Sequence, residues 1–171
     1  TGEHVISGLI HKKYGFDNVG FHMDEDVITV DFDGVIPANE LLAIEQQVND
    51  AIYADIPVNV LFPSAEELKA MDYRSKKELT GKVRIVDIPG CDRCACCGTH
   101  VARTGEIGLL KVLSSEKHRG GTRILFVCGA RALRDYAAKN ASVRRISELL
   151  SAKPAEVAEA VEKLLTAQNL K

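Results

Sequence analysis

The spacing of apolar positions changes several times along the chain, and each change marks an element. Val5, Ile6, Leu9 and Ile10 recur at helical spacing and Gly15 is a good stop, so a helix is expected over 1–14. Ile28, Val30 and Phe32 then alternate, on a strand expected over 27–33 that pairs across "DED" with one over 19–23. Leu41, Ile44, Val48 and Ile52 return to helical spacing behind Pro37, a residue suited to a helix's first turn. "PVNVLF" (57–62) reads as a strand, Ser64 with Glu67 as a capping box opening a short helix, and "KVRIVDI" (82–88) as another strand. "IGLLKVL" (107–113) and "TRILFVC" (122–128) read as paired strands joined by a polar, mobile "SSEKHRGG". From Ala130 the pattern is helical, in pieces near 130–139, 142–150 and 154–168. Val157, Val161, Leu164 and Leu165 lay a narrow apolar stripe on the last. This order lacks the alternation of a doubly wound fold. The expected class is α+β, a mostly antiparallel sheet with helices packed on one side, followed by a helical C-terminal segment.

Composition adds bounds. The 171 residues, 46% hydrophobic and 27% charged, suit one soluble domain with an appendage, and no apolar run approaches the ~18 residues of a membrane span. No signal-peptide pattern opens the chain. A net charge of -2 excludes a strongly basic nucleic-acid binder in bulk but leaves room for a local basic patch. Cys91, Cys94, Cys96 and Cys97 crowd together and Cys128 makes an odd fifth, which points to a reducing cytoplasm and to metal or thiol chemistry. The chain opens on Thr1 and is already helical near residue 4, and it is still helical at Leu170. Both ends therefore read as cut from something longer.

The cysteine cluster offers two CxxC pairs but no second pair to complete a zinc ribbon, and Cys128 reads as a core residue. Cys96 with His100 is the alternative, with Gly98 allowing a tight turn between them. His118 reads as solvated and His22 as an ordinary half-buried histidine. His4 and His11 share a helix face but stand ~10.5 Å apart along the axis, too far for one metal with bonds near 2.1 Å. The residues present thus supply His4, Cys96 and His100, and a fourth protein ligand would precede Thr1. Three protein ligands and an open position are also the pattern of catalytic zinc.

"TGEHVISGLI" and "CCGTHVARTGEIGLLKV" resemble the two signatures of the alanyl-tRNA synthetase editing domain, which also occurs in free-standing AlaX-type editing proteins. Cys96, Gly98, Thr99, His100, Val101, Ile107 and Gly108 match the second signature, and "GGTRILFVCG" is similar to the segment that follows it. The resemblance spans most of residues 1–135. The first signature is HxxxH, whose first histidine falls one residue before Thr1, and the small barrel-like domain that usually precedes this one is outside the chain. A chain extended upstream is expected to carry close to one zinc, and the present one less.

The resemblance implies an editing domain over 1–138 and a helical, truncated extension over 139–171. It implies a zinc-dependent hydrolase, acting in trans, that removes wrongly attached serine or glycine from alanine-specific tRNA. ATP is not required, no membrane is involved, the location is cytoplasmic, and the C-terminal helices offer a dimer contact. Glu3 and Thr1 are the candidate catalytic residues, Glu3 as a general base. Thr1, Thr99 and Arg103 are candidates for substrate binding, with Thr1 toward a serine hydroxyl and Arg103 toward a phosphate. Lys12, Lys13, Arg119 and Arg123 are candidates for tRNA. The competing readings are a non-catalytic zinc-stabilised RNA-binding module and an editing domain of threonyl-type specificity.

Overall fold

The computed structural model of the chain describes residues 1–75 and 81–169 and divides it into two units, Thr1–Ala132 and a second from Leu133 on. In the first, helix α1 (Gly2–Tyr14) ends on Gly15, whose φ of 72° is the left-handed conformation that closes a helix. Strands β1 (Asn18–Met23) and β2 (Ile28–Phe32) follow, and then α2 (Ala38–Tyr53), with Pro37 as its extended N-cap, one position ahead of the expected first turn. Next come β3 (Asn59–Leu61), the short α3 (Ala65–Ala70) with the Ser64–Glu67 capping box in place, and β4 (Ile85–Ile88). β5 (Asp92–Ala95), β6 (Leu110–His118) and β7 (Gly121–Cys128) complete the unit.

The α+β class with antiparallel pairing holds, and the strands divide into two sheets, ordered β1-β2-β7-β6 and β3-β4-β5. Three local expectations change. The cysteine cluster itself contains a strand, β5, which forms a hairpin with β4 across Pro89-Gly90. Proline presets one central φ of that turn and Gly90, at φ 79°, supplies the other. The "SSEKHRGG" stretch is mostly strand, because Arg119 and Gly120 both take positive φ (47° and 84°) and make a two-residue hairpin turn. Finally, α4 (Ala130–Leu150) is one continuous helix, since neither glycine nor proline falls within it and Asn140 alone does not break it. After a 3-10 turn at Pro154–Glu156 comes α5 (Val157–Asn169).

One apolar cluster unites α1, α2 and both sheets through Val5, Ile6, Ile10, Val30, Ile44, Val86 and Phe126. Two polar side chains of α2 complete the edge of β6. Asn49 accepts from the Leu110 amide and donates to the Leu110 carbonyl, both at 2.9 Å, as a neighbouring strand would. Glu45 accepts from the Val112 amide at 2.7 Å. The edge is thereby capped rather than left open for pairing. Arg123 of β7 grips Asp31 of β2 with two bonds of 2.7 and 2.9 Å, and the Arg123 guanidinium holds the Asp31 carboxyl below its ordinary range. His118 is half-buried beside this pair, 3.1 Å from Arg123, rather than solvated.

From Gly2 to Ile10, α1 is buried on most sides. Gly8 allows it to lie against β5: a Cβ there would sit 2.4 Å from the Cys91 carbonyl oxygen and 2.5 Å from the Asp92 Cβ. On an exposed helix Gly→Ala stabilises by about 1 kcal/mol. Here the added methyl meets backbone, so Gly8→Ala should instead destabilise by about 1–3 kcal/mol, read as a lower midpoint in urea unfolding.

Candidate metal centre

The site assembles where the start of α1 meets the end of β5. In β5 the alternation puts Asp92 and Cys94 inward and Arg93 outward. Past Ala95 the chain leaves the sheet, so Cys96 stands half-exposed at the strand's end while Cys97 faces solvent. Arg84 of the loop before β4 donates to the carbonyls of Cys96 and Gly98 at 2.7 and 2.9 Å, which fixes the path of the turn. The Gly98 amide points at the Cys96 sulfur at 3.3 Å.

This path carries His100 back to within 3.4 Å of the Cys96 sulfur, Nε2 foremost. His4 meets it from α1, with ring centroids 4.7 Å apart and edge to face. The ligand atoms of His4, Cys96 and His100 all lie within 4.8 Å of one another. The three residues singled out by ligand counting, up to 96 positions apart, are therefore neighbours.

The donor set suits a metal because each ring is anchored on its far nitrogen. His4 Nδ1 bonds the Asp92 carboxylate at 2.9 Å, and His100 Nδ1 lies 3.2 Å from the Thr1 hydroxyl. With Nδ1 so engaged, Nε2 is the nitrogen left for a metal on both rings, and the outer carboxylate fixes the orientation of the His4 imidazole. Burial, with His4 close by, lowers His100 to about 4, so that its ring is neutral at physiological pH as ligation requires. A borderline-soft cation matches one thiolate and two imidazoles better than a hard one does. A second convergence, His4 with Asp92 and Cys94, is also within 4.8 Å. There Asp92 is already taken by Arg74, and burial pushes the Cys94 thiol up to about 11, so the first set is the better metal site.

Asp92 and Arg74 form the support beneath His4. Arg74 donates to the two Asp92 oxygens at 2.8 and 2.9 Å, and the Asp92 side chain is 2% exposed. Burial alone would raise the Asp92 carboxyl, but the bonds from His4 and Arg74 outweigh it and hold it below its ordinary value. Neither residue was singled out from the sequence. An inward-facing aspartate in β5 was the available signal, and it could be read only once that strand was recognised.

A cavity of about 440 Å³ opens over the ligand set, lined among others by Thr1, Glu3, Phe21, Met23 and Thr99. The Thr1 hydroxyl accepts from the Val101 amide at 3.1 Å. Glu3 sits beside His4, its Oε2 3.8 Å from His4 Nε2. Arg103 lies outside the residues lining the cavity and binds Asp55 at 2.6 Å, tying the loop after His100 to the end of α2. Among the basic candidates, Lys12 donates to the Gly90 carbonyl, Lys13 pairs with Glu40, Arg123 grips Asp31, and Arg119 occupies the β6–β7 turn. His11 contacts Asp17 and stays apart from the centre, and His22 is exposed and paired with Asp24. Cys128 is partly buried and packs against the core, where a Cβ on Gly2 would meet its sulfur at 2.7 Å.

Comparison with known proteins follows the same lines. Residues 83–125, which contain β4, β5 and the Cys96–His100 turn, match the threonyl and alanyl tRNA synthetase second additional domain. The chain is 30% identical over 170 residues to the alanyl-tRNA editing protein Aarsd1 of Danio rerio, covering 96% of this chain and 41% of that protein. It is 34% identical over 146 residues to the alanyl-tRNA editing protein AlaX-L of Pyrococcus horikoshii, covering 80% of this chain and 36% of that protein. It is also 32% identical over 173 residues to the alanine--tRNA ligase of Petrotoga mobilis, covering 96% of this chain and 20% of the ligase. The chain thus spans less than half the length of these relatives. Its two histidine- and cysteine-bearing segments, its matched domain and its relatives agree: the chain belongs to the alanyl-tRNA synthetase editing-domain family, of the AlaX type.

Proposed function

We propose that the chain is a zinc-dependent deacylase that hydrolyses the ester between a wrongly attached serine or glycine and alanine-specific tRNA, acting in trans. The observation that carries this reading is the convergence of His4, Cys96 and His100 beneath an open cavity, each histidine anchored on its far nitrogen. A zinc ion held by these three residues would supply Lewis-acid chemistry to an ester carbonyl or a water.

The chain's own groups account for binding and orientation. Asp92 and Thr1 fix the tilt of the two imidazoles. With His100 Nε2 on a metal, its Nδ1 carries the proton and donates to Thr1. Thr1 Oγ1 then accepts twice, from His100 and from Val101, and its own hydroxyl proton is left to bond a substrate such as serine. Phe21, Met23 and Thr99 wall a space suited to a small side chain. Lys12, Lys13, Arg119 and Arg123 are kept as candidates for tRNA phosphates, with the carboxylate partners of Lys13 and Arg123 competing for those two.

Ester hydrolysis is downhill and needs no ATP. We assign editing to the first part of the chain, 1–138, and a dimer contact to the helical part beyond it, where Val161, Leu164 and Leu165 are exposed on α5. No described helix is long and apolar enough to cross a membrane, and we assign a protein that works on tRNA to the cytoplasm. A panel of alanine-specific tRNA charged with serine, glycine or alanine, and threonine-specific tRNA charged with serine, tests the reading. Zinc-loaded chain should clear the seryl and glycyl forms of the alanine tRNA at least about tenfold faster than the alanyl form. Hydrolysis confined to the threonine tRNA would mean threonyl-type editing, and hydrolysis of none would mean a binding module.

A further inference from the structure

Among the described residues lining the cavity over the ligand set, one carboxylate is present, that of Glu3. It is held from behind. Its Oε1 accepts from the Ser7 hydroxyl at 2.8 Å and from the Asn18 side-chain amide. Ser7 is fully buried on α1 and Asn18 is 4% exposed at the start of β1. Asn18 in turn donates to Ser7 at 3.3 Å and accepts from the Gly20 amide at 3.1 Å. These bonds leave Glu3 little rotamer freedom and set its second oxygen 3.8 Å from His4 Nε2, on the side where the ligand atoms converge. That distance is too long for a hydrogen bond, and neither convergent ligand set includes Glu3. The other charged side chain lining the cavity, Arg74, has its guanidinium committed to Asp92.

We propose that Glu3 is the receptor for the free α-ammonium group of the aminoacyl ester, with Asn18 and Ser7 as its positioning residues; the proposal rests on the deacylase reading above. In an aminoacyl ester the ammonium is attached to the carbon next to the reacting carbonyl. A carbonyl placed over the ligand set therefore brings a cation beside His4, where the Glu3 carboxylate waits. A charge-assisted bond in a partly enclosed site discriminates well, and a neutral amide N–H in the same place would leave the carboxylate without a counter-charge. Esters whose α-nitrogen is acylated, as in formylated or peptidyl tRNA, are accordingly rejected.

The test is binding of two stable mimics by calorimetry: 3′-serylamino-3′-deoxyadenosine, whose amide resists hydrolysis, and its N-acetyl form. The wild-type chain should prefer the free amine by about tenfold or more. Glu3→Gln should remove that preference by weakening binding of the free-amine mimic, and Asn18→Ala should reduce it. Equal binding of both mimics by the wild type would overturn the proposal and leave the deacylase reading standing. Binding of neither would overturn both. In deacylation, a general base at Glu3 would give a different result, with Glu3→Gln slowing seryl and N-acetylseryl esters alike, and that outcome also overturns the proposal.

Discussion

A His100→Ala chain should bind zinc on the order of a hundredfold more weakly and lose hydrolysis of seryl-tRNA to background, while staying folded. His100 supplies one of three converging ligand atoms, so its loss leaves two, too few to hold an ion in a hydrolytic site. The fold should tolerate the change because the ring is only partly buried and its partners are one hydroxyl, the Cys96 sulfur and an edge-on contact with His4. A stability change within about 1 kcal/mol is expected, measured by urea unfolding of the metal-free protein. Cys96→Ala should behave the same way. His11→Ala and His22→Ala are the controls, since both residues make their contacts away from the centre. Activity that survives His100→Ala would remove the ligand from the account.

The second large effect is on stability. Arg74→Met should destabilise the chain by about 3–5 kcal/mol, because it strands the buried Asp92 carboxylate with only the His4 ring as partner. A double variant, Arg74→Met with Asp92→Leu, should recover much of that loss, since replacing both members of a buried pair by apolar groups removes the unpaired charge. It should not recover zinc affinity: without Asp92 the His4 ring loses the carboxylate that holds its Nδ1, and losing such an outer partner weakens metal binding about 10–100-fold. Unfolding midpoints and zinc titrations on the same set of variants separate the two roles.

The convergence of His4, Cys96 and His100 was legible in the sequence for a simple reason. Cys96 and His100 lie in one short turn, and setting His11 aside rested on helix geometry, which depends only on spacing. The apolar periods likewise foretold α1, α2, β1, β2 and β7, because burial of one face dictates them locally. The support around the ligands was not legible. Asp92 is 88 positions from His4, and Arg74 reaches it from a segment without regular structure. Such pairings are decided by which strands and loops the fold brings together, and no local pattern encodes them. Arg103 and Arg123 show the opposite difficulty: as residue types both suited phosphate, yet in the fold each is tied to an aspartate. β5 was hidden because cysteines spaced for ligation obscured the alternation of a short strand, and the full length of β6 and its two-residue turn to β7 because "RG" reads as loop until both residues are seen at positive φ.

The most direct measurement is deacylation of seryl-tRNA specific for alanine as zinc is titrated into metal-free protein. Activity should rise from background and saturate in step with filling of a single zinc site, and His100→Ala should flatten the curve. Full activity in the metal-free protein, or activity indifferent to a filled site, would contradict the assignment of His4, Cys96 and His100 as the centre of a zinc-dependent hydrolase.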